Sequence, residues 1–149
     1  MSANTTNDQH RALIERSIEI DATPEVIFES ILEEMLALPD GKGGALKFKL
    51  EAHPGGRWYR DLGNNAGHFW GHVQVIKPPT LLEIYGPLMI SSPAVSHVAY
   101  RVKSENGVNR LTITHRIFGD FDPKVPEMVG GGWQMIVENI RNTAQKKSK

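Results

Sequence analysis

Six histidines and no cysteine make imidazoles the main candidates for acid–base or ligand chemistry in this chain. His115 is the most informative of them. In the segment RLTITHRIF it falls on the side of Leu111, Ile113 and Ile117, with Thr112, Thr114 and Arg116 opposite. Alternation of period two marks a half-buried strand. Upstream, Asn106-Gly107 is the strongest short hairpin signal available. A two-residue turn there pairs Glu105 with Val108, and the register follows: Val98 faces His115, Tyr100 faces Ile113 and Val102 faces Leu111. His115 and Tyr100 are therefore expected on the inner face together. An inward imidazole beside a phenol can anchor a ligand, act as a general acid or base, or simply satisfy its neighbours in the core. All three roles stay open at this point.

The same register removes a tempting metal site. His97 is set against Arg116 on the opposite face from His115, so the two rings cannot share an ion. His68 and His72 are read as sharing a strand face, but at ~3.3 Å per residue they stand ~13 Å apart. Zinc ligands each lie ~2 Å from the metal, so no metal site is expected. No cofactor is expected either. The absence of cysteine excludes disulfides and thiolate nucleophiles. No GxSxG elbow, HExxH helix or phosphate-loop lysine is present. Glu33-Glu34 and Glu15/Glu19 read as solvated faces. With 17 basic and 17 acidic residues, the chain lacks the basic field that draws proteins to nucleic acid or acidic membranes.

These side chains need elements to hold them. Arg11 to Ile20 alternates as a strand, and DATPEVIFESI starts a helix: Thr23 caps, Pro24 suits the first turn and Glu25 favours the positive dipole end. Pro39-Asp40-Gly41 stops that stretch, after a break expected near Glu33, so two short helices are predicted. Strand-like runs follow from Ala45 to Phe118. Trp58 and Trp70 have opposite parity on neighbouring strands, so one is expected inside; Trp58 is preferred, opposite Gly71 and beside Val73. Then the period changes. Trp133, Ile136, Val137, Ile140 and Ala144 form one face of a long helix. Gly130-Gly131-Gly132 at its start is either room for a ligand or a close approach of helix and strand. Residues 1–10 read as a disordered polar tail, 11–145 as a single domain and 146–149 as a frayed basic tail. At 149 residues one domain accounts for the chain. No apolar run is long enough for a membrane helix, and a cytoplasmic location is expected.

Strands followed by one long amphipathic helix imply an α+β architecture, with about six or seven antiparallel strands wrapped around that helix. The segments IEIDATPEVIFESI, PGGRWY, GHVQVIKPPTLLEI, RLTITHRIF and GWQMIVENI resemble, in this order, the activator-of-heat-shock-protein-90-ATPase-like family of the START-like (SRPBCC, helix-grip) superfamily. The resemblance covers roughly residues 11 to 145. It implies a pocket between the curved sheet and the last helix. The expected lining is Trp58, Val73, Val98, Tyr100, Ile113, His115, Met128, Gly132, Trp133 and Ile136, and the expected partner is a small hydrophobic molecule. Two other readings stand beside it. One is an enzyme of cyclase or hydrolase type with His115 as acid/base. The other is a stress-related, co-chaperone-like module that contacts a chaperone. A monomer or a homodimer is compatible with each.

Overall fold

The computed structural model describes residues 10–149; the expectation about the first residues otherwise lies outside that range. The chain runs β1 (Arg11–Ile20), α1 (Pro24–Leu36), β2 (Ala37–Pro39), β3 (Ala45–Lys47), β4 (Lys49–Leu50) and β5 (Arg57–Gly63). It continues through β6 (Ala66–Lys77), β7 (Leu81–Gly86), β8 (Ala94–Glu105), β9 (Val108–Gly119) and α2 (Val125–Lys147). A seven-stranded sheet has the order β1-β9-β8-β7-β6-β5-β4, and β2-β3 forms a separate two-stranded flap. All pairings are antiparallel. Helix α2 packs on β1 and against α1, burying Val129, Gly130, Trp133, Ile136, Val137, Ile140 and Ala144. No described helix is long and apolar enough to cross a membrane.

The β8–β9 hairpin carries the register expected of its turn. Glu105 pairs with Val108, Val98 with His115, Tyr100 with Ile113 and Val102 with Leu111. Asn106 and Gly107 both hold positive φ, 54° and 78°, the conformation that lets a two-residue turn follow the strand twist.

Helix α1 starts as its sequence dictates, with Thr23 Oγ1 accepting a hydrogen bond from the Val26 N–H at 3.2 Å. It does not break near Glu33. One helix, not two, follows the first strand, because the chain leaves α1 directly into β2. There Leu38 is buried opposite Leu46, and the Phe48 N–H donates to the Leu36 carbonyl at 2.9 Å. Residues intended for a second helix are held by a strand pairing instead.

The far end of α2 also departs from expectation. Lys146 and Lys147 are its last turn rather than a frayed tail. The Lys147 ammonium reaches Glu29 on α1 at 2.8 Å and also bonds Glu33, tying the two helices together. Glu34 is likewise no solvated carboxylate. It is partly buried, takes a hydrogen bond from Asn139 Nδ2 at 3.2 Å, and burial raises its pKa from 4.5 to about 7.

The β5–β6 hairpin corrects the reading of the tryptophans and of two histidines. Trp58 does pair with Gly71, but the next pair is Tyr59 with Phe69, so Trp70 is the extra residue of a bulge. A bulge inserts one residue and reverses the facing of all that lies beyond it. Both Trp58 and Trp70 are consequently buried, whereas Phe69 is 38% exposed. His68 and His72 end on opposite faces: His68 Nδ1 accepts from Trp70 Nε1 at 3.1 Å, and His72 stacks beside Tyr85.

Candidate functional site

His115 is fully buried and its two ring nitrogens are both engaged. Trp133 Nε1 lies 2.9 Å from His115 Nδ1. An indole N–H can only donate, so Nδ1 carries the lone pair and the neutral ring holds its proton on Nε2. That N–H then donates to Ser96 Oγ at 2.8 Å. Burial, aided by the nearby His97, lowers the His115 pKa from 6.5 to about 4. At neutral pH the imidazole is an uncharged bridge between sheet and helix with no free lone pair for a proton in transit. The Trp133 ring stands edge-on to His115 and to Tyr100, at centroid distances of 5.8 and 5.9 Å.

Ser96 escaped the sequence reading although its signal was present. It shares the parity of Val98 and Tyr100, so the same alternation turns it inward, where it is 1% exposed.

The residues expected to line a ligand site fall into two groups. Trp58, Val73, Val98, Tyr100, Ile113 and His115 lie in the closed core, each no more than 1% exposed. The Trp58 indole N–H is used internally, donating to the Met35 carbonyl at 2.8 Å. Met128, Gly132, Trp133 and Ile136 line an open cleft of about 560 Å³ between α2 and the β2–β3 flap. Its other walls are Leu38, Pro39, Leu46, Trp70, Met89 and Met135, with Asp40 and Gly41 at the loop. The wall facing α2 is thus Trp70, not the preferred Trp58, for the reason the bulge supplies. Trp70 packs edge-on against Trp58 at 5.1 Å and against Phe48 at 4.7 Å, which braces it.

The flap loop is shaped by Asp40, whose Oδ1 accepts from the Lys42 and Gly44 backbone N–H groups at 2.6 and 3.0 Å. Flap, loop and Met89 join the site only through the tertiary fold; nothing in the local pattern marks them.

The triple glycine does two separate jobs. A Cβ at Gly130 would lie 2.6 Å from Arg16 Nη2 and 3.7 Å from Ile14 Cγ2, so this residue lets α2 sit close on β1. A Cβ at Gly132 would meet nothing within 4 Å, and this residue leaves room in the cleft.

On the outer face of the sheet, Leu13, Tyr85, Val95 and Phe118 are exposed. With Arg11, His97 and Arg116 they border a shallow depression of about 610 Å³. His97 Nε2 is 2.9 Å from the Glu83 carboxylate there, on the face away from His115.

No protein-family model matches the sequence, and no curated protein matches it. Solved structures do. A protein from Rhizobium leguminosarum superposes with a TM-score of 0.70 at 16% identity, over 91% of this chain and 95% of its own. Ara h 8.0201 gives 0.64 at 10% identity, over 91% and 99%. The di-domain ARO/CYC BexL from the BE-7585A biosynthetic pathway gives 0.62 at 14% identity, and this chain, 94% of it matched, covers half of BexL. At these identities the likeness is one of fold. The fold is the helix grip: an antiparallel sheet folded around a long C-terminal helix.

Proposed function

We propose that this chain binds a small hydrophobic or aromatic molecule in the cleft between α2, the β2–β3 flap and Trp70. The observation that carries the reading is the cleft itself. About 560 Å³ walled by two tryptophans, three methionines and aliphatic side chains falls within the size and chemistry of small-molecule sites. Methionines adapt their shape to a guest better than branched side chains do. The closed core around His115 supports a ligand whose apolar body is seated against the helix.

Gly132→Leu tests this. The added side chain enters free space in the cleft, and leucine favours a helix interior by roughly 1 kcal/mol over glycine. Naphthol is expected to stabilise the wild type saturably against heat, and the variant is expected to fold, to melt at or above the wild-type temperature, and to lose that stabilisation. Unchanged stabilisation in the variant would move the ligand elsewhere, and a wild type that naphthol does not stabilise would count against the cleft as its site.

An alternative is turnover of a hydrophobic substrate with His115 as acid/base. The shared fold with BexL favours it, and the engagement of both imidazole nitrogens counts against it. The resemblance to activators of the heat-shock ATPase suggests a stress-related role. The outer-face depression beside Leu13 and Phe118 supports a second reading, contact with a chaperone. Under that reading Phe118→Ser abolishes chaperone co-purification and Gly132→Leu does not.

A further inference from the structure

The Tyr100 hydroxyl has no hydrogen-bond partner among the described residues, although its ring is 1% exposed. Buried hydroxyls in folded proteins nearly always have one. The group nearest in effect is Glu34, whose charge acts on the phenol and, after burial, raises the pH at which it would ionise.

The surroundings connect this hydroxyl to the cleft. Tyr100 packs edge-on against Trp133, and Trp133 is a cleft wall. Glu34 stands in the last turn of α1, which runs directly into β2 and its cleft residue Leu38, and Asn139 lies one turn after the cleft residues Met135 and Ile136 on α2. The Asn139–Glu34 hydrogen bond thus joins α1 to α2 one helical turn beyond the cleft residues of α2. It is a single, long contact at 3.2 Å between helices that are otherwise joined by packing and by Lys147.

Building on the cleft reading, we propose that Tyr100, Glu34 and Asn139 form the polar end of the ligand site, reached when the Asn139–Glu34 contact parts. The ligand they fit is an apolar molecule ending in a neutral hydroxyl. Such a group both donates and accepts. It accepts from the Tyr100 O–H and donates to the Glu34 carboxylate, or exchanges those roles when Glu34 is protonated. A carboxylate would meet the charge of Glu34. A plain hydrocarbon would leave the phenol unpaired.

The test compares naphthol, naphthoate and naphthalene by fluorescence titration against wild type and Tyr100→Phe. Wild type is expected to prefer naphthol over naphthalene by about tenfold, the size of one neutral hydrogen bond, and to bind naphthoate weakest. Tyr100→Phe is expected to erase the preference for naphthol, to keep the affinity for naphthalene, and to melt no lower than wild type, since no internal hydrogen bond is removed. Equal binding of naphthol and naphthalene to wild type overturns the polar end but leaves the cleft reading standing. So does a variant that melts lower yet keeps the preference. If none of the three probes binds, the cleft reading falls and takes the polar end with it.

Discussion

Acidification should weaken this protein through His115 by an amount the structure sets. In the folded chain the imidazole is buried, accepts from Trp133 and donates to Ser96, and its pKa is lowered to about 4. In the unfolded chain it returns to 6.5. Above 6.5 the ring is neutral in both states, and its contribution to stability is fully present. Between 6.5 and 4 the unfolded chain binds a proton that the folded chain refuses, so stability falls as pH falls. At about 1.4 kcal/mol for each pH unit, the loss reaches about 3 kcal/mol by pH 4. That is a large part of the ~5–15 kcal/mol by which domains are usually stable.

The assay is urea unfolding followed by tryptophan fluorescence across this range, in wild type and in His115→Gln. Glutamine is neutral throughout and keeps a donor and an acceptor. The free-energy difference between the two proteins should be constant above pH 6.5 and change by about 3 kcal/mol in the variant's favour by pH 4. A difference that stays flat across the window refutes the reasoning. So does a histidine resonance assigned to His115 that titrates near 6.5 in the folded protein.

Glu34 works in the opposite direction, which is why the comparison must be made against a variant. Its folded pKa of about 7 exceeds the unfolded 4.5, so its burial favours folding below 4.5 and the benefit is lost as pH rises through 7. Glu34→Gln should therefore stabilise the protein above pH 7 and change little below 4.5; partial solvent access reduces the gain to about 1–2 kcal/mol, readable in the same urea series. Trp133→Phe removes the donor to His115 Nδ1 and should destabilise by at least ~1–3 kcal/mol. It should also raise the His115 pKa toward its ordinary value, which histidine NMR reads directly. At Gly131, where a Cβ meets nothing within 4 Å, alanine should raise stability by roughly 1 kcal/mol and leave ligand-induced stabilisation unchanged.

Local rules carried a good part of this molecule. The Asn106-Gly107 turn and the alternation on either side of it set the β8–β9 register, and with it the burial of His115 opposite Val98 and of Tyr100 opposite Ile113. The helical period of Trp133, Ile136, Val137, Ile140 and Ala144 marked the face that α2 buries. Even Ser96 was legible, since strand parity alone turns it toward His115. These features depend on contacts between near neighbours along the chain, where backbone geometry leaves few choices.

Tertiary structure decided the rest. One inserted residue at Trp70 reversed the facing of β6 beyond it, bringing both tryptophans inside and parting His68 from His72. No local preference marks a bulge, because it arises from how two strands must bend to pack. The cleft is likewise assembled from α2, the flap and Met89, which are distant in sequence. Whether Glu34 is solvated or buried depends on Asn139, a partner more than a hundred residues away. The sequence by itself determined that His115 and Tyr100 point inward. Only the fold decided that the histidine is already satisfied there while the phenol is not, because a hydrogen bond needs its partner within reach and long-range packing alone supplies one.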